Sequence, residues 1–390
     1  MDFKFTEEQE EFRQEVRTFL EEELPAGWVD YLPVTTADHA SHSENGWEVF
    51  KDVARKLGER GWLSLFWPKE YGGQARSFVD NFIFREEIAR RGSPGYNAMA
   101  TRMLAPTLMK YGTAEQKERH LRPIAAGQKF WCEGFTEPEA GSDLASLKTK
   151  ATKDNNHFII NGQKTWCTFA DHSDWCFLLA RTDPESTRHR GLSFFLLDLS
   201  TAGITVRPIF NIAGEPHFSE IFFDDVRVPQ ENVVGNIGEG WQVTQTLLSF
   251  ERGSIEYTAR VENLIERLKR IEVAIHNIQY RQALAKMAID AEVGRLLNYR
   301  IAWMHDQGIA TEWHAAMAKL YSTELYRNAA NTAIQLLGMY AQLDKQDALA
   351  PLHGWFENYY LISFGATIAA GTSEIQRTII ALRGLQLPRE

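Results

Sequence analysis

The stretch from Lys129 to Thr168 constrains the fold of this chain more than any other part of the sequence. Its first segment, Lys129-Phe-Trp-Cys-Glu-Gly-Phe-Thr136, is aromatic and prone to form a β-strand. A turn-rich segment follows, in which Gly141 and Ser142 can present bare N–H groups and a hydroxyl to a phosphate. The pattern predicts a strand that ends at a ligand-facing turn.

A second β-prone run extends from His157 to Trp166. Its Asn161-Gly162 pair predicts a hairpin turn that would carry Trp166 and Thr168 back towards Thr136. Two hydroxyls and an indole beside a glycine turn suit a flat, redox-active ring with a pyrophosphate tail, because such a ring needs stacking and hydrogen bonds at its heteroatoms. The alternative is an ordinary sandwich corner whose turn residues only turn.

The periodicity of the chain changes twice. Residues 1–125 show helical periodicity, and Thr6 and Gln9 form a capping box at the first helix. Residues 126–236 read as strands separated by Gly, Pro and Asp turns, and residues 237–390 return to long helical patterns. This predicts a multidomain α+β fold with an N-terminal α-helical domain (1–125), a central β-sandwich or barrel domain (126–236) and a C-terminal domain like a four-helix bundle (237–390).

Composition excludes several classes of function. The net charge of −10 over 390 residues argues against nucleic acid as a partner, although a local basic pocket can still bind an anion. The N-terminus carries no apolar signal segment and no stretch is apolar enough to span a membrane, so we expect a soluble, cytoplasmic protein with no membrane partner. The three cysteines, Cys132, Cys167 and Cys176, lack zinc spacing, so we expect buried thiols and no metal site.

Several motifs resemble those of the acyl-CoA dehydrogenase family and follow its order over nearly the whole chain. The most specific are Thr136-Glu-Pro-x-Ala-Gly-Ser-Asp-Leu144 and Asn161-Gly-x-Lys-x-Trp-x-Thr168. The others are Gly61-Trp62, Pro68-Lys-Glu-Tyr-Gly-Gly73, Tyr111-Gly112, Glu115-Gln-Lys117, Phe218-x-Glu-Ile-x-Phe-x-x-Val-x-Val-Pro229 and Gly371-Thr-Ser-Glu-Ile-Gln-Arg377.

The resemblance implies an oxidoreductase that acts on CH–CH groups. Its cofactor would be FAD, its substrate an acyl-CoA thioester, and its electron acceptor an electron-transferring flavoprotein. The flavin would lie between the β domain and the C-terminal bundle, with the acyl chain entering between helices. A homotetramer or homodimer is expected, and a heterotetramer remains open.

The resemblance also implies the site residues. Eight would contact FAD: Phe135, Thr136, Gly141, Ser142, Trp166, Thr168, Thr372 and Glu374. Ser142 and Arg252 would contact the substrate. Ser373 and Gln376 form a second capping box, which predicts a helix N-terminus with free N–H groups near Thr372, although an ordinary capped helix would show the same pattern.

Desaturation also needs a base that takes the α-proton while the flavin takes the β-hydride. In many family members this base is a Glu directly before the C-terminal Gly-Thr, where this chain has Ala370. The family's other position, in isovaleryl-CoA and long-chain acyl-CoA dehydrogenases, is a Glu directly before an Arg, and here it matches Glu251-Arg252. We therefore predict Glu251 as the base.

Helical periodicity adds to this assignment. On one continuous helix, Glu251 shares an apolar face with Leu247, Leu248, Ile255, Thr258 and Ile265. Burying a carboxylate there is costly, so it would serve as a base or, alternatively, form a structural ion pair. Gly253 would either make room for a ligand or only kink the helix. The small Ala370 favours a branched, cyclic or otherwise bulky acyl group.

Two departures from the family concern the grip on FAD. The family's Arg-x-x-Phe-Gly segment, which reaches the cofactor of a neighbouring subunit, has no counterpart in residues 262–274. The family's Gly-Gly-x-Gly reads Leu337-Gly-Met-Tyr-Ala341 here. Both departures concern how a neighbouring subunit would grip the adenine half of FAD. Two other functions also stay open: an oxygen-using flavoenzyme on the same fold, and a non-catalytic partner subunit of a hetero-oligomeric dehydrogenase in which Ala370 marks a lost site.

Overall fold

The computed structural model describes residues 4–25, 28, 44–251, 253–271 and 277–389, without the side chains of residues 44, 45 and 251. The chain forms two compact units. The first comprises Met1–Ala40, Arg76–Pro94 and Arg252–Glu390, and the second comprises Ser41–Ala75 and Gly95–Glu251. The predicted division into three successive domains at about residues 125 and 236 stays a prediction.

The order of elements confirms the predicted fold class. Helices come first: α1 (Glu7–Glu23), α2 (Glu44–Glu59), α3 (Phe78–Arg90), α4 (Ala105–Tyr111) and α5 (Ala114–Ala125). Strands follow: β1 (Trp131–Gly134), β2 (Lys150–Asp154), β3 (His157–Thr168), β4 (Trp175–Arg181), β5 (Leu192–Asp198), β6 (Ile204–Ile209), β7 (Phe218–Pro229) and β8 (Val233–Val234). Helices close the chain: α6 (Gly240–Glu251), α7 (Ile255–Lys269), α8 (Ile278–Asp306), α9 (Glu312–Leu337), α10 (Trp355–Ala366) and α11 (Ser373–Ile379). No helix in the described ranges is long and apolar enough to cross a membrane.

The first unit is helical. The predicted capping box forms at Thr6 and Gln9, and the apolar face of α1 is buried. Arg13 on that face donates to the Glu86 carboxylate at 2.8 Å, and the Tyr299 hydroxyl donates to the same carboxylate at 2.5 Å. Because buried charges need partners, this network fixes α1 and α8 against α3. Helices α7, α8, α9 and α10 share one apolar core, as the bundle prediction requires.

The second unit is built on one sheet. Its strand order is β6-β7-β3-β2-β4-β5-β8, and β1 pairs with β4 in parallel. Strand β4 is buried on both faces, and its alternation divides the unit's core in two. One face of β4 packs with α4, α5 and α6 through Trp175, Phe177 and Leu179. The other face packs against apolar residues of the sheet itself through Cys176, Leu178 and Ala180. All three cysteines are buried and unbridged.

The predicted hairpin at Asn161-Gly162 is wrong. Strand β3 runs through this pair without turning, and the turn lies at Asn155-Asn156, between the paired Asp154 and His157. Gly162 instead lies at a register shift against β7, where a Cβ would come within 2.6 Å of the Thr149 hydroxyl oxygen. The glycine is thus required by a close approach within the sheet.

The prediction of one continuous helix around Glu251 is also wrong. Helix α6 ends at Glu251 and α7 begins at Ile255. Gly253 between them has φ +143°, which an L residue rarely adopts, and the N–H of Ser254 donates to the Asn298 side chain at 2.8 Å. The shared apolar face of Leu247 and Ile255 therefore cannot be inferred from periodicity.

A buried histidine should make the second unit sensitive to acid. The His120 ring lies edge-on to Trp131 and Trp175, with centroids 5.1 and 4.8 Å away, and burial lowers the pKa of His120 to about 4. The unfolded chain takes up this proton near the ordinary pKa of about 6.5, so the free energy of unfolding should fall as pH drops from about 6.5 to 4.

The loss attributable to His120 should be on the order of 3 kcal/mol, because each pKa unit corresponds to about 1.4 kcal/mol. We expect His120→Phe to lose correspondingly less stability than the wild type between pH 7 and 4, measured by urea unfolding. The variant of the exposed His353, His353→Gln, should follow the wild type. An equal loss in His120→Phe and the wild type would contradict this origin.

Candidate active site

Strand β3 and the segment after β1 meet as predicted, although by a different route. The backbone N–H of Thr165 donates to the carbonyl of Thr136 at 2.9 Å. The Lys164 ammonium donates to the carbonyl of Phe135, also at 2.9 Å. Thr136 therefore lies beside the end of β3 that carries Trp166 and Thr168.

Trp166 occupies a strained and exposed position. Its φ is +60°, and it lies at the register shift of β3 against β7 between Lys164 and Cys167. Its side chain is 55% exposed and meets the Phe218 ring edge-on at 5.6 Å. A positive φ for a bulky residue costs on the order of 1–3 kcal/mol, and such strain concentrates at functional sites.

Three predicted hydroxyls and one predicted glycine on these two segments are open to a ligand. The side chains of Thr136 and Thr168 are half-buried and that of Ser142 is exposed. Within the part of the chain that the structure describes, none of these three hydroxyls makes a hydrogen bond. Gly141 has open space, since a Cβ there would meet nothing within 4 Å. An exposed indole, free hydroxyls and an open glycine turn fit the flavin and pyrophosphate of FAD.

Phe135 differs from the other predicted contacts. Its side chain is 2% exposed and packs edge-on against Phe177 and Phe194 in the core. Its carbonyl accepts a hydrogen bond from Lys164, so only its backbone reaches the candidate cofactor wall. By this wall we mean the predicted FAD contacts Thr136, Gly141, Ser142, Trp166 and Thr168. Contact between Phe135 and the cofactor remains a prediction.

The C-terminal turn lies in the first unit, and its cap is displaced by one residue from the prediction. Thr372, and not Ser373, is the N-cap of α11, and its hydroxyl accepts from the N–H of Ile375 at 3.3 Å. Thr372 has the extended backbone that a cap requires, whereas Ser373 is already helical. The Gln376 side chain donates to the carbonyls of Ala370 and Gly371 at 3.0 and 3.2 Å.

The same turn is held from below by a buried lysine. Lys319 on α9 donates to the carbonyls of Ala366 and Gly371 at 3.1 and 2.8 Å. Glu374 is exposed, and hydrogen bonds from its own N–H and from Thr372 lower the pKa of its carboxyl. Thr372 and Glu374 thus lie on one ordered turn and remain predicted contacts.

The predicted base falls at the edge of the described chain. Glu251 is the last residue of α6, its side chain lies outside the described residues, and so does the whole of Arg252. One turn earlier, Leu247 is fully buried and Leu248 packs against the same core. The part of the chain that the structure covers contains no group of three His, Cys, Asp or Glu residues able to hold a metal.

Sequence reasoning missed the buried pair of Lys164 and Glu137. The lysine ammonium lies 2.9 Å from the Glu137 carboxylate. Both residues stand inside the two quoted motifs, and a lysine within a β-strand of apolar alternation was the available signal. Lys319 gave no comparable signal, because a lysine on a helix is usually exposed.

Removing one wall hydroxyl should produce a modest change in cofactor binding. One hydrogen bond contributes about 0.5–1.5 kcal/mol, so Thr168→Val should weaken FAD binding by up to about tenfold and shift the visible flavin spectrum. Titration of the apoprotein with FAD measures both. Thr152→Val, which removes an exposed hydroxyl on β2, is the matched control. Identical affinity and spectra for both variants would remove Thr168 from the site.

Comparison with known proteins gives consistent matches. Residues 6–128, 132–226 and 238–385 match the N-terminal, middle and C-terminal domains of acyl-CoA dehydrogenase. The chain is 36% identical to acyl-CoA dehydrogenase IpdE1 of Mycobacterium tuberculosis, covering 98% of each chain. Among solved structures it resembles the Tcur3481-Tcur3483 steroid ACAD, with TM-score 0.90, 32% identity and full coverage of both chains. It also resembles a chain of the ChsE4-ChsE5 complex from Mycobacterium tuberculosis, with TM-score 0.88, 32% identity and full coverage of both.

Proposed function

Because this chain belongs to the acyl-CoA dehydrogenase family, we propose that it desaturates a bulky, ring-bearing acyl-CoA with Glu251 as the base. The chain is an FAD-dependent oxidoreductase that acts on the CH–CH group of an acyl-CoA thioester. The observation that carries the proposal is Ala370 at the family's usual base position, together with Glu251-Arg252 at the other.

The wall of the second unit would hold the cofactor. Trp166 would flank the flavin, the hydroxyls of Thr136 and Thr168 would bond its heteroatoms, and the turn at Gly141-Ser142 would face the pyrophosphate. When bound, FAD supplies the acceptor for the hydride from the β-carbon. The free hydroxyls and the exposed, strained indole support this arrangement.

Glu251 would take the α-proton of the thioester. Its backbone closes α6 one turn after the buried Leu247. Arg252 and Ser142 would contact the substrate. The alternative, a structural ion pair of Glu251, leaves the chain without a base at either family position.

The proposed acyl group follows from space and from relatives. An alanine at position 370 removes a carboxylate side chain from the turn before α11, and one structural relative is named a steroid ACAD. We expect the FAD-loaded protein to oxidise ring-bearing CoA esters with kcat/KM at least about tenfold above straight-chain esters, the discrimination that apolar contacts provide.

An anaerobic assay with a dye acceptor across a panel of CoA esters tests this preference. Equal rates on straight-chain and ring-bearing esters would contradict the bulky-substrate proposal. Activity that appears only in the presence of oxygen would favour the oxygen-using alternative.

Electron-transferring flavoprotein is the proposed physiological acceptor. Residues 262–274 lack the Arg-x-x-Phe-Gly segment, which supports an assembly in which another chain supplies that contact. Both a homo-oligomer and a heterotetramer are compatible with this sequence feature. One similar structure is a complex of two differently named chains. Mass measurement of the purified assembly, alone and after co-expression with a second homologous chain, separates them. The cytoplasmic location remains a prediction from the sequence.

A further inference from the structure

We propose that the buried pair of Lys164 and Glu137 positions the flavin-facing wall, so that its loss weakens FAD binding although neither side chain is a cofactor contact. This inference rests on the proposed assignment of the wall to FAD. Both residues lie in the second unit, and every contact that carries the argument lies within it.

Lys164 is a fully buried cation with specific partners. Its side chain is 0% exposed, and its ammonium donates at 2.9 Å to both the Phe135 carbonyl and the Glu137 carboxylate. Around it lie the buried thiols of Cys167 and Cys176, and burial lowers the pKa of Lys164 while the Glu137 charge opposes that change. A lysine in such surroundings is retained only with its partners in place.

Glu137 extends this anchor to the turn. Its carboxylate accepts from the backbone N–H groups of Lys148 and Thr149, at 2.6 and 2.8 Å, just before β2 begins. Its own backbone closes a two-bond turn with Ala140, with both distances 3.1 Å. One carboxylate therefore fixes the segment that leads to Gly141 and the segment that leads into β2.

Lys164 binds the residues directly before and directly after the proposed flavin contact Thr136. Thr136 stands between Phe135 and Glu137, and Lys164 binds the carbonyl of the first and the carboxylate of the second. Trp166 follows Lys164 by two residues, at the register shift where its φ becomes positive. The Thr136 segment and the Trp166 segment consequently share one anchor.

The pair contributes more than the attraction between its two charges. Replacing a buried ion pair by well-packed apolar residues is often neutral or stabilising by about 1–4 kcal/mol. Two apolar side chains here would lose the bonds to the Phe135 carbonyl and to the N–H groups of Lys148 and Thr149. What the ion pair adds is the fixed geometry of three chain segments.

The test compares Lys164→Met with Lys148→Met, which breaks an exposed ion pair nearby in the chain. The Lys148 ammonium lies 2.5 Å from the Glu139 carboxylate, but both side chains are about three-quarters exposed (75% and 76%). We expect Lys164→Met to raise the Kd for FAD at least about tenfold, in a titration of the apoprotein. Amide hydrogen exchange of the apoprotein should rise over residues 135–142 and 163–168. Lys148→Met should leave both readouts at wild-type values.

The double variant Lys164→Met with Glu137→Leu removes both charges, and it serves where the single variant does not fold. We expect it to fold and still bind FAD at least about tenfold more weakly. Wild-type FAD affinity in either variant overturns the positioning role. Should both lysine variants fail to fold, Glu137→Gln keeps the side-chain volume and gives the same two readouts with the same criteria.

The inference and the wall assignment fail differently. If Thr168→Val and Trp166→Phe weaken FAD binding while Lys164→Met does not, only the positioning role is wrong. If all three leave FAD binding unchanged in a protein that still takes up FAD, the wall itself is misassigned.

Discussion

Glu251→Gln is expected to slow reduction of the bound flavin by an acyl-CoA about 10²–10⁴-fold while acyl-CoA binding stays close to wild type. The amide keeps the size and polarity of the carboxylate but cannot take the α-proton. Stopped-flow spectroscopy without oxygen measures the loss of flavin absorbance, and the spectral change before reduction measures binding. The effect should appear in the reduction rate and leave the substrate Kd nearly unchanged.

The controls separate the base from the general loss of an acid. Glu266 is an exposed acid on α7 that pairs with Lys269 at 2.6 Å, so Glu266→Gln should reduce flavin at the wild-type rate. Near-normal reduction by Glu251→Gln would show that another group takes the proton. Adding Ala370→Glu to Glu251→Gln tests whether the family's two base positions face one proton, and recovered activity would show that they do.

Helix α1 and several of the strands could be predicted from local patterns because they depend on local chemistry. The capping box at Thr6 and Gln9 needs only residues three apart, and strand β5 coincides with the apolar run Leu192–Asp198 inside the segment predicted to form strands. The Asn161-Gly162 pair misled because Asn-Gly also suits a register shift in a long strand. What required Gly162 was its closeness to Thr149, and a contact across two strands leaves no local pattern.

The site divides in the same way. Thr136 lies beside the end of β3 that carries Trp166 and Thr168, as the sequence predicts, and a contact of these three residues with the cofactor stays a prediction. The sequence predicted at most a kink at Gly253, because helical periodicity continues on both sides of it. The contacts of Gly253 and Ser254 with Arg85 and Asn298 are tertiary and leave no local pattern. Such breaks in a helix depend on buried tertiary contacts, and helical periodicity contains no information about those contacts.

Those tertiary contacts give the second large expected effect, at Arg85. Arg85 on α3 is 1% exposed, and its guanidinium donates to both oxygens of Glu256 at 2.8 and 2.9 Å and to the carbonyl of Gly253 at 2.8 Å. The guanidinium also lies 4.6 Å from the centre of the Phe82 ring. Arg85 therefore holds Gly253, two residues after Glu251, against the rest of the first unit.

Arg85→Met should lower the free energy of unfolding by about 3–5 kcal/mol, because it removes a buried guanidinium together with its bonds to the Glu256 carboxylate and to the Gly253 carbonyl. Arg55→Met removes an exposed guanidinium that pairs with Asp52 on α2, and it should leave the free energy of unfolding nearly unchanged. Chemical denaturation of both variants measures the difference. A loss below about 1 kcal/mol for Arg85→Met would show that the pair contributes little.

A second variant separates the ion pair from the bond to Gly253. Arg85→Met with Glu256→Leu removes both charges and should recover most of the lost stability, because the carboxylate is removed together with the cation that it binds. It cannot restore the hydrogen bond to the Gly253 carbonyl. If that bond fixes the position of Gly253, and through it the end of α6 at Glu251, reduction of the bound flavin should be slow in Arg85→Met. It should remain slow in the stable double variant, since a displacement of about 1 Å can cost about 10²-fold in rate. Full recovery of both stability and rate would show instead that Gly253 keeps its position without Arg85.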